Sequence, residues 1–223
     1  MPELRLFPLE TVLFPGQPLT IRVFEERYRA LVDELLTLPA GPERRFGVVA
    51  IRLGTQVGAD GIQALHSVGC VAEICDLAPE RGGHCTLTTM GRARFRLHEV
   101  DQTLPYLTGT VSWLAESVGE PAAATSLAQR VSTRYRDYLV AVAAAQGGAI
   151  DVPELPADPL VLSYLVAATT VLDLLEHQRL LDAADAVSRL RTELQVLSRE
   201  CALLHRLGSV PARNLGQLPM APN

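Results

Sequence analysis

Residues 106–142 read YLTGTVSWLAESVGEPAAATSLAQRVSTRYRDYLVAV and contain the point at which the chain changes character. Before Gly119-Glu120-Pro121, the apolar segments are short, rich in β-branched residues and broken by Gly or Pro, which is typical of strands. After this point, apolar residues recur every three or four positions, which predicts helices. The sequence therefore predicts an α+β protein with a β-rich subdomain over residues 1–118, a helical bundle subdomain over 119–208 and a flexible tail over 209–223.

The first subdomain contains seven candidate strands, which together suggest an antiparallel sheet or barrel. They cover residues 11–14, 19–24, 46–53, 69–76, 85–90, 93–100 and 106–115. One inserted helix is predicted between them, since apolar residues recur at helical spacing after an acidic first turn. These residues are Tyr28, Leu31, Val32, Leu35 and Leu36. Glycines at 58–61 and 81–83 predict turns between strands.

The second subdomain begins with a helix that is predicted to end at Gly147-Gly148. Asp158 is predicted to cap the next helix, with Pro159 at its first position. Residues 160–171 are apolar nearly all round, which predicts a central helix. The last, long helix carries an apolar stripe over residues 187–204, which packs either inside the bundle or, alternatively, against a second copy of the chain in a homodimer.

Composition excludes several classes of function. The 223 residues are 48% apolar with a net charge of −5, as expected for a folded protein rather than a disordered chain. All basic residues are Arg and none is Lys, so a Walker lysine, a Schiff base and a Ser-Lys nucleophile pair are excluded. The acidic balance makes nucleic acid an unlikely partner. We find no signal peptide and no apolar run of membrane-spanning length, and therefore expect a cytoplasmic protein.

The cysteines are the only candidates for metal or thiol chemistry. His66, Cys70, Cys75, His84 and Cys85 lie close together, but their intervals match no paired zinc-ligand pattern. No local sequence marks any of these cysteines as an activated thiolate, so buried structural thiols are the favoured interpretation. The sequence thus predicts no metal and no cofactor, with a thiol or zinc enzyme using Cys70, Cys75 and Cys85 as an alternative.

Two sets of residues are candidates for binding. Arg92, Arg94 and Arg96 alternate with apolar residues on one predicted strand, so their guanidinium groups share one face and can bind a carboxylate or an acidic peptide. The more common role for such a row is a solvated face. Aromatic residues make up only 5% of the chain, so an exposed pair would be a notable anchor. The aromatic candidates are Phe24, Tyr28, Tyr106 and Trp113.

Several stretches resemble the amino-terminal domain of Lon proteases. The most specific are FPLETVLFPG at 7–16 and LTIRVFEERY at 19–28. The motifs VGCVAEI at 68–74, GRARF at 91–95, PYL at 105–107, EHQRLL at 176–181 and RL at 189–190 follow in the expected order. The resemblance spans about residues 4–207. It implies a PUA-like β-pseudobarrel followed by a helical subdomain, in agreement with the change of periodicity near residue 118.

The same resemblance implies a function in recognising polypeptide substrates. In Lon, separate modules hydrolyse ATP and cut peptides with a Ser-Lys pair, and neither module is expected here. We therefore predict a stand-alone, non-catalytic module that binds unfolded or extended polypeptides, working with a protease or ATPase partner. The aromatic and arginine candidates are the predicted contacts, and the junction between barrel and bundle is the expected place. A small-molecule- or RNA-binding PUA-like module is the alternative, because a fold does not settle function.

Overall fold

The computed structural model describes residues 1–54 and 62–208. The predicted turn at 58–61 and the predicted tail at 209–223 lie outside these residues. The strands are β1 (Glu3–Leu9), β2 (Pro18–Val23), β3 (Arg45–Gly54), β4 (Ile62–Leu65), β5 (Val68–Pro79), β6 (Cys85–Asp101) and β7 (Thr108–Trp113). The helices are α1 (Glu26–Leu36), α2 (Pro121–Ala145), α3 (Pro159–Thr169), α4 (Leu174–Asp182) and α5 (Ala186–Gly208), with a 3-10 turn at Arg81–Gly83.

The strands form a barrel-like sheet that closes on itself. Neighbouring strands follow the order β1-β7-β6-β5-β3, and β1 then pairs with β3 in parallel, which completes the ring. β2 pairs with β6, and β4 pairs with β3. Helix α1 covers the barrel core with the side chains that its spacing predicted, and Tyr28 stacks on Phe7 with ring centroids 4.0 Å apart. The α+β class and the barrel followed by helices are confirmed.

The strands differ from the prediction in three ways. The segment 11–14 is not a strand: Leu13 is buried in the barrel core, whereas Val12 and Phe14 pack towards α3 and α4. Its apolar character therefore comes from burial between two cores and not from sheet pairing. The candidates 85–90 and 93–100 are one strand, β6, and the strands β1 and β4 were not predicted at all.

Carboxylate side chains cap the first two helices of the second subdomain. The Glu120 carboxylate accepts hydrogen bonds from the backbone N–H groups of Ala122 and Ala123, at 2.9 and 2.6 Å. Asp158 does the same for the first turn of α3, with Pro159 following it. These carboxylates satisfy N–H groups that have no partner inside the helix.

Helices α2 and α5 start together and run side by side. The backbone N–H groups of Ala186 and Val187 donate to the carbonyls of Ser117 and Val118, at 2.9 and 3.2 Å. The apolar stripe of α5 then packs on α2 within the same chain. The internal interpretation of residues 187–204 is therefore confirmed, and a homodimer stays a prediction.

Candidate functional site

An apolar cleft of about 550 Å³, which we call the junction cleft, lies where the barrel meets the bundle. One wall is the turn that joins β1 to β2, at residues 15–18, and the opposite wall is helix α3. The side chains that line it are mainly apolar: Pro15, Pro18, Pro156, Leu160, Val161, Leu165 and Ala168, together with Gln17, Glu116, Tyr164 and Thr169. This composition, apolar walls with a few polar groups, is typical of binding sites.

Helix α3 is apolar on two faces for two different reasons. Leu162 and Val166 are buried in the bundle, which explains half of the pattern. Val161 on the other face is 52% exposed, and Leu165 is half-buried at the cleft. The prediction of a central helix for residues 160–171 was therefore only half right, because the second apolar face lines a cleft instead of a core.

The opposite wall is fixed in place by strand β6. The N–H of Gly16 donates to the carbonyl of Gly91, and the N–H of Gly91 donates to the carbonyl of Gln17, both at 2.9 Å. A Cβ atom at Gly91 would lie 2.1 Å from the Phe14 carbonyl oxygen, so only glycine allows this approach. The wall is thus held by backbone hydrogen bonds to β6, and the Gln17 side chain adds one bond within the turn, since its Oε1 accepts from the Phe14 N–H at 3.0 Å.

The polar end of the cleft is a carboxylate held by residues from both subdomains. Arg94 on β6 donates from Nε to Oε1 of Glu116 at 3.0 Å. The Tyr164 hydroxyl on α3 donates to Oε2 of the same carboxylate at 2.5 Å. Nη1 of Arg94 also donates to the carbonyls of Leu181 and Ala183, at 2.7 Å each. One guanidinium therefore ties the barrel to the end of α4, and we call Arg94, Glu116 and Tyr164 the junction cluster.

A second buried arginine supports the cluster from behind. Arg189 on α5 donates to the Tyr164 hydroxyl at 3.1 Å and to Ser163 Oγ at 2.9 Å, and its guanidinium lies 3.9 Å from the centre of the Tyr164 ring. Burial raises the pKa of the Tyr164 hydroxyl and lowers the pKa of Arg189. The hydroxyl therefore stays protonated and keeps donating to Glu116 at neutral pH.

The lining of the cleft combines apolar walls with hydrogen-bond acceptors. The described residues that line the cleft include no Cys, His or Ser side chain. The Glu116 carboxylate already pairs with Arg94, so the cleft offers hydrogen-bond acceptor atoms without a strong uncompensated charge. An apolar segment whose main-chain N–H groups need acceptors matches these properties.

Comparison with known proteins identifies the family. A family model described as the ATP-dependent protease La (LON) substrate-binding domain matches residues 3–199. The chain belongs to this family. It is 25% identical to the Lon protease of Anaeromyxobacter dehalogenans and 25% identical to Lon protease 2 of Myxococcus xanthus, over 96% of the chain in each case. The chain spans about a quarter of the length of these relatives, 25% and 26% respectively.

Solved LON domains share the fold. A Lon N-terminal domain protein from Xanthomonas campestris superposes with a TM-score of 0.61 at 25% identity, covering 89% of this chain and 98% of the other. The N-terminal domain of a Mycobacterium avium complex Lon protease gives a TM-score of 0.62 at 15% identity, over 88% and 98%, and shows the fold alone. In the described part of this LON domain, no helix is long and apolar enough to cross a membrane.

The structure does not bring the four aromatic candidates together in this LON domain. Phe24 is 46% exposed and lines a separate pocket of about 320 Å³ beside Tyr28. Tyr28 and Tyr106 are buried in the barrel core, and the Tyr106 hydroxyl donates to Glu34. Trp113 is 45% exposed on β7, with the Arg45 guanidinium 5.7 Å from its ring centre. None of the four lines the junction cleft.

The predicted row of guanidinium groups is interrupted. Arg92 is exposed and forms a two-bond ion pair with Glu73 on β5, at 2.9 and 3.0 Å, and Arg96 is exposed as well. Arg94, however, is only 2% exposed, which corrects its prediction as part of an open polar face. The helical subdomain covers β6 at this point, and both Arg94 and the next residue, Phe95, are buried, so the alternation fails there.

The cysteines occupy three different environments in the LON domain. Cys70 is buried, and burial raises the pKa of its thiol to about 12. Cys75 is exposed, against the favoured interpretation of buried thiols, and Cys85 is half-buried. Among residues 1–54 and 62–208, no group of three or more His, Cys, Asp or Glu side chains is placed to hold a metal ion.

Proposed function

We propose that this LON substrate-binding domain holds extended, apolar segments of unfolded polypeptides in the junction cleft and does no chemistry on them. The observation that carries the proposal is the exposed apolar face of α3, which stands opposite a proline-lined wall fixed by backbone hydrogen bonds. A rigid apolar cleft binds without a large ordering cost, because its walls are already in place. The family description supports polypeptide as the ligand.

The binding mode follows from the groups that line the cleft. Apolar side chains of the bound segment contact Val161, Leu165 and the prolines, and its main-chain N–H groups donate to free lone pairs of Glu116 or to the Gln17 side chain. The relatives are named as proteases, which supports delivery of the bound segment to a protease or ATPase partner. The aromatic and arginine candidates outside the cleft stay predictions.

The experiment measures binding of a fluorescein-labelled, reduced and alkylated polypeptide by fluorescence anisotropy. Val161→Asp places a charge in the cleft and is expected to weaken binding about tenfold, since it costs both apolar contact and desolvation. Val171→Asp is the matched control, because Val171 is 76% exposed after the end of α3 and does not line the cleft.

Equal affinities of these two variants would reject the cleft as the site. If Phe24→Ala or Trp113→Ala weakens binding while Val161→Asp does not, the polypeptide binds at the aromatic residues instead. A labelled RNA oligomer in the same assay tests the RNA alternative, which requires binding that falls steeply with salt.

A further inference from the structure

A second groove lies on the far side of the bundle, between the parallel helices α2 and α5. It consists of two adjoining depressions of about 570 and 650 Å³, which share Arg134 and Asp137. Along α2 the groove extends from Arg130 to Ala145, and along α5 from Leu194 to His205. None of its residues lines the junction cleft, so it is a separate surface.

The charge of this groove is opposite to that of the whole chain. Arg130, Arg134 and Arg136 lie along it with Asp137 as the one carboxylate lining it, whereas the chain carries a net charge of −5. Arg134 is 3.5 Å from Asp137. Arg130 and Arg136 are exposed and form no salt bridge with any residue that the structure describes. The rim thus offers guanidinium groups that can pair with the carboxylates of a partner.

The floor of the groove is apolar. It is formed by Val140, Ala141, Ala144 and the partly buried Leu194 and Leu204. Alanines on a helix surface allow a third helix to approach closely, and the leucines offer apolar contact on the α5 side. The described lining residues include no Phe, Tyr or Trp ring on which a nucleic-acid base would stack, and their one imidazole is that of His205 at the end of the groove.

We propose that this groove docks an acidic amphipathic helix of a partner protein. The stretch from Arg130 to Ala145 is about 22 Å long at 1.5 Å per residue, which matches a partner helix of about 15 residues. Apolar side chains of that helix at positions i, i+3, i+4 and i+7 fill the floor, and flanking Asp or Glu residues pair with the arginine rim. Charge complementarity selects an acidic helix over a basic one.

The test uses two end-blocked peptides of about 18 residues, long enough to fill the groove. One contains Leu at helical spacing with Ala and Glu between, and its twin has Lys in place of every Glu. Binding to the full chain is measured by fluorescence anisotropy at low and high salt. The variant is the double Arg130→Glu, Arg136→Glu, and the control is Arg81→Glu, Arg179→Glu, which changes the net charge equally at exposed sites outside the groove.

The wild-type chain is expected to bind the acidic peptide and not its lysine twin. The groove variant should weaken binding of the acidic peptide at least about tenfold and gain binding of the lysine twin, while the control stays within about twofold. Val161→Asp should leave acidic-peptide binding unchanged, so this result is independent of the cleft. Equal binding of the two peptides, or equal effects of variant and control, would overturn the proposal. The proposal would also be overturned if an RNA oligomer or anionic vesicles bind more tightly than the acidic peptide and the Arg130→Glu, Arg136→Glu variant weakens that binding to the same extent.

Discussion

Replacing Arg94 with Met should uncouple the barrel from the helical bundle. Arg94 is almost fully buried and is the donor of hydrogen bonds to Glu116 and to the carbonyls of Leu181 and Ala183. Met keeps most of the apolar volume of the arginine stem but removes every one of these bonds. The two carbonyls and the carboxylate then face a side chain that cannot donate.

The size of the effect follows from the number and kind of bonds lost. A hydrogen bond from a charged group contributes about 1.5 to 3 kcal/mol, so the two carbonyl bonds at the low end amount to about 3 kcal/mol. The Glu116 side chain is 30% exposed, so water can solvate its carboxylate after the substitution. Loss of this ion pair therefore adds little. We expect the free energy of unfolding to fall by about 3 kcal/mol.

Urea denaturation followed by two probes measures both the stability and the coupling. Far-UV circular dichroism reports mainly on the helices, and the single tryptophan, Trp113, reports on β7 of the barrel. The wild-type transitions should coincide, whereas those of Arg94→Met should separate, because the junction cluster no longer links the two subdomains. Arg94→Lys should give an intermediate loss, since it keeps the charge but not the fork of donors.

Arg92→Met is the matched control on the same strand. Its ion pair with Glu73 lies at the surface, with half of the arginine side chain exposed, so its loss should cost less than about 1 kcal/mol. If Arg94→Met lowers stability no more than Arg92→Met, or if its two transitions still coincide, the junction cluster does not couple the subdomains.

Three further substitutions or reactions test other parts of the structure. Gly91→Ala should lower the unfolding free energy by about 2 kcal/mol or more, because its Cβ would overlap a backbone oxygen, and it should also weaken polypeptide binding. Gly148→Ala should do neither, since a Cβ there would lie 3.7 Å from its nearest neighbour, the Ala143 carbonyl oxygen. Burial without a hydrogen-bond partner holds the pKa of Glu193 well above its usual range, so the native state retains a proton and its stability falls as pH rises above about 4.3. Glu193→Gln should remove this loss and add at least about 1 kcal/mol to the unfolding free energy at pH 7. An equal difference between the urea midpoints of variant and wild type at pH 5 and at pH 8 would contradict this. Iodoacetamide on the native protein at pH 8 should label Cys75 and spare Cys70, as read by mass spectrometry, and equal labelling of both thiols would mean that the barrel core opens readily.

The change from strands to helices was predictable because local signals agree there. Asp158 with Pro159 is a strong helix start that depends on residues close in sequence, and this cap forms as predicted. Glu120 with Pro121 caps α2 in the same way, at the point where the change to helical periodicity was predicted. The segment 11–14 misled, since its burial depends on α3 and α4, which lie about 150 residues further along the chain. Contacts between residues so far apart in the sequence cannot be predicted from local periodicity.

The sequence predicted binding at the junction between barrel and bundle, where the cleft lies, but not the residues that line the cleft. The second apolar face of α3 was present in the sequence, where Val161 and Leu165 supplement a stripe that already suffices for packing. That excess of apolar residues on a short helix was the available clue to a binding face. The role of Arg94 had no comparable clue, because its three acceptors come from positions 22, 87 and 89 residues away.

The closed ring of strands sets an order of events during synthesis. β1 emerges first, but one of its edges pairs with β7, whose residues are made about 100 positions later. At typical rates of about 5 to 20 residues per second, this edge waits about 5 to 20 seconds on the ribosome before its partner exists. During that interval, the N–H and C=O groups along this edge of β1 have no strand partner. The LON domain thus passes through a stage in which this strand edge is open to pairing with other chains.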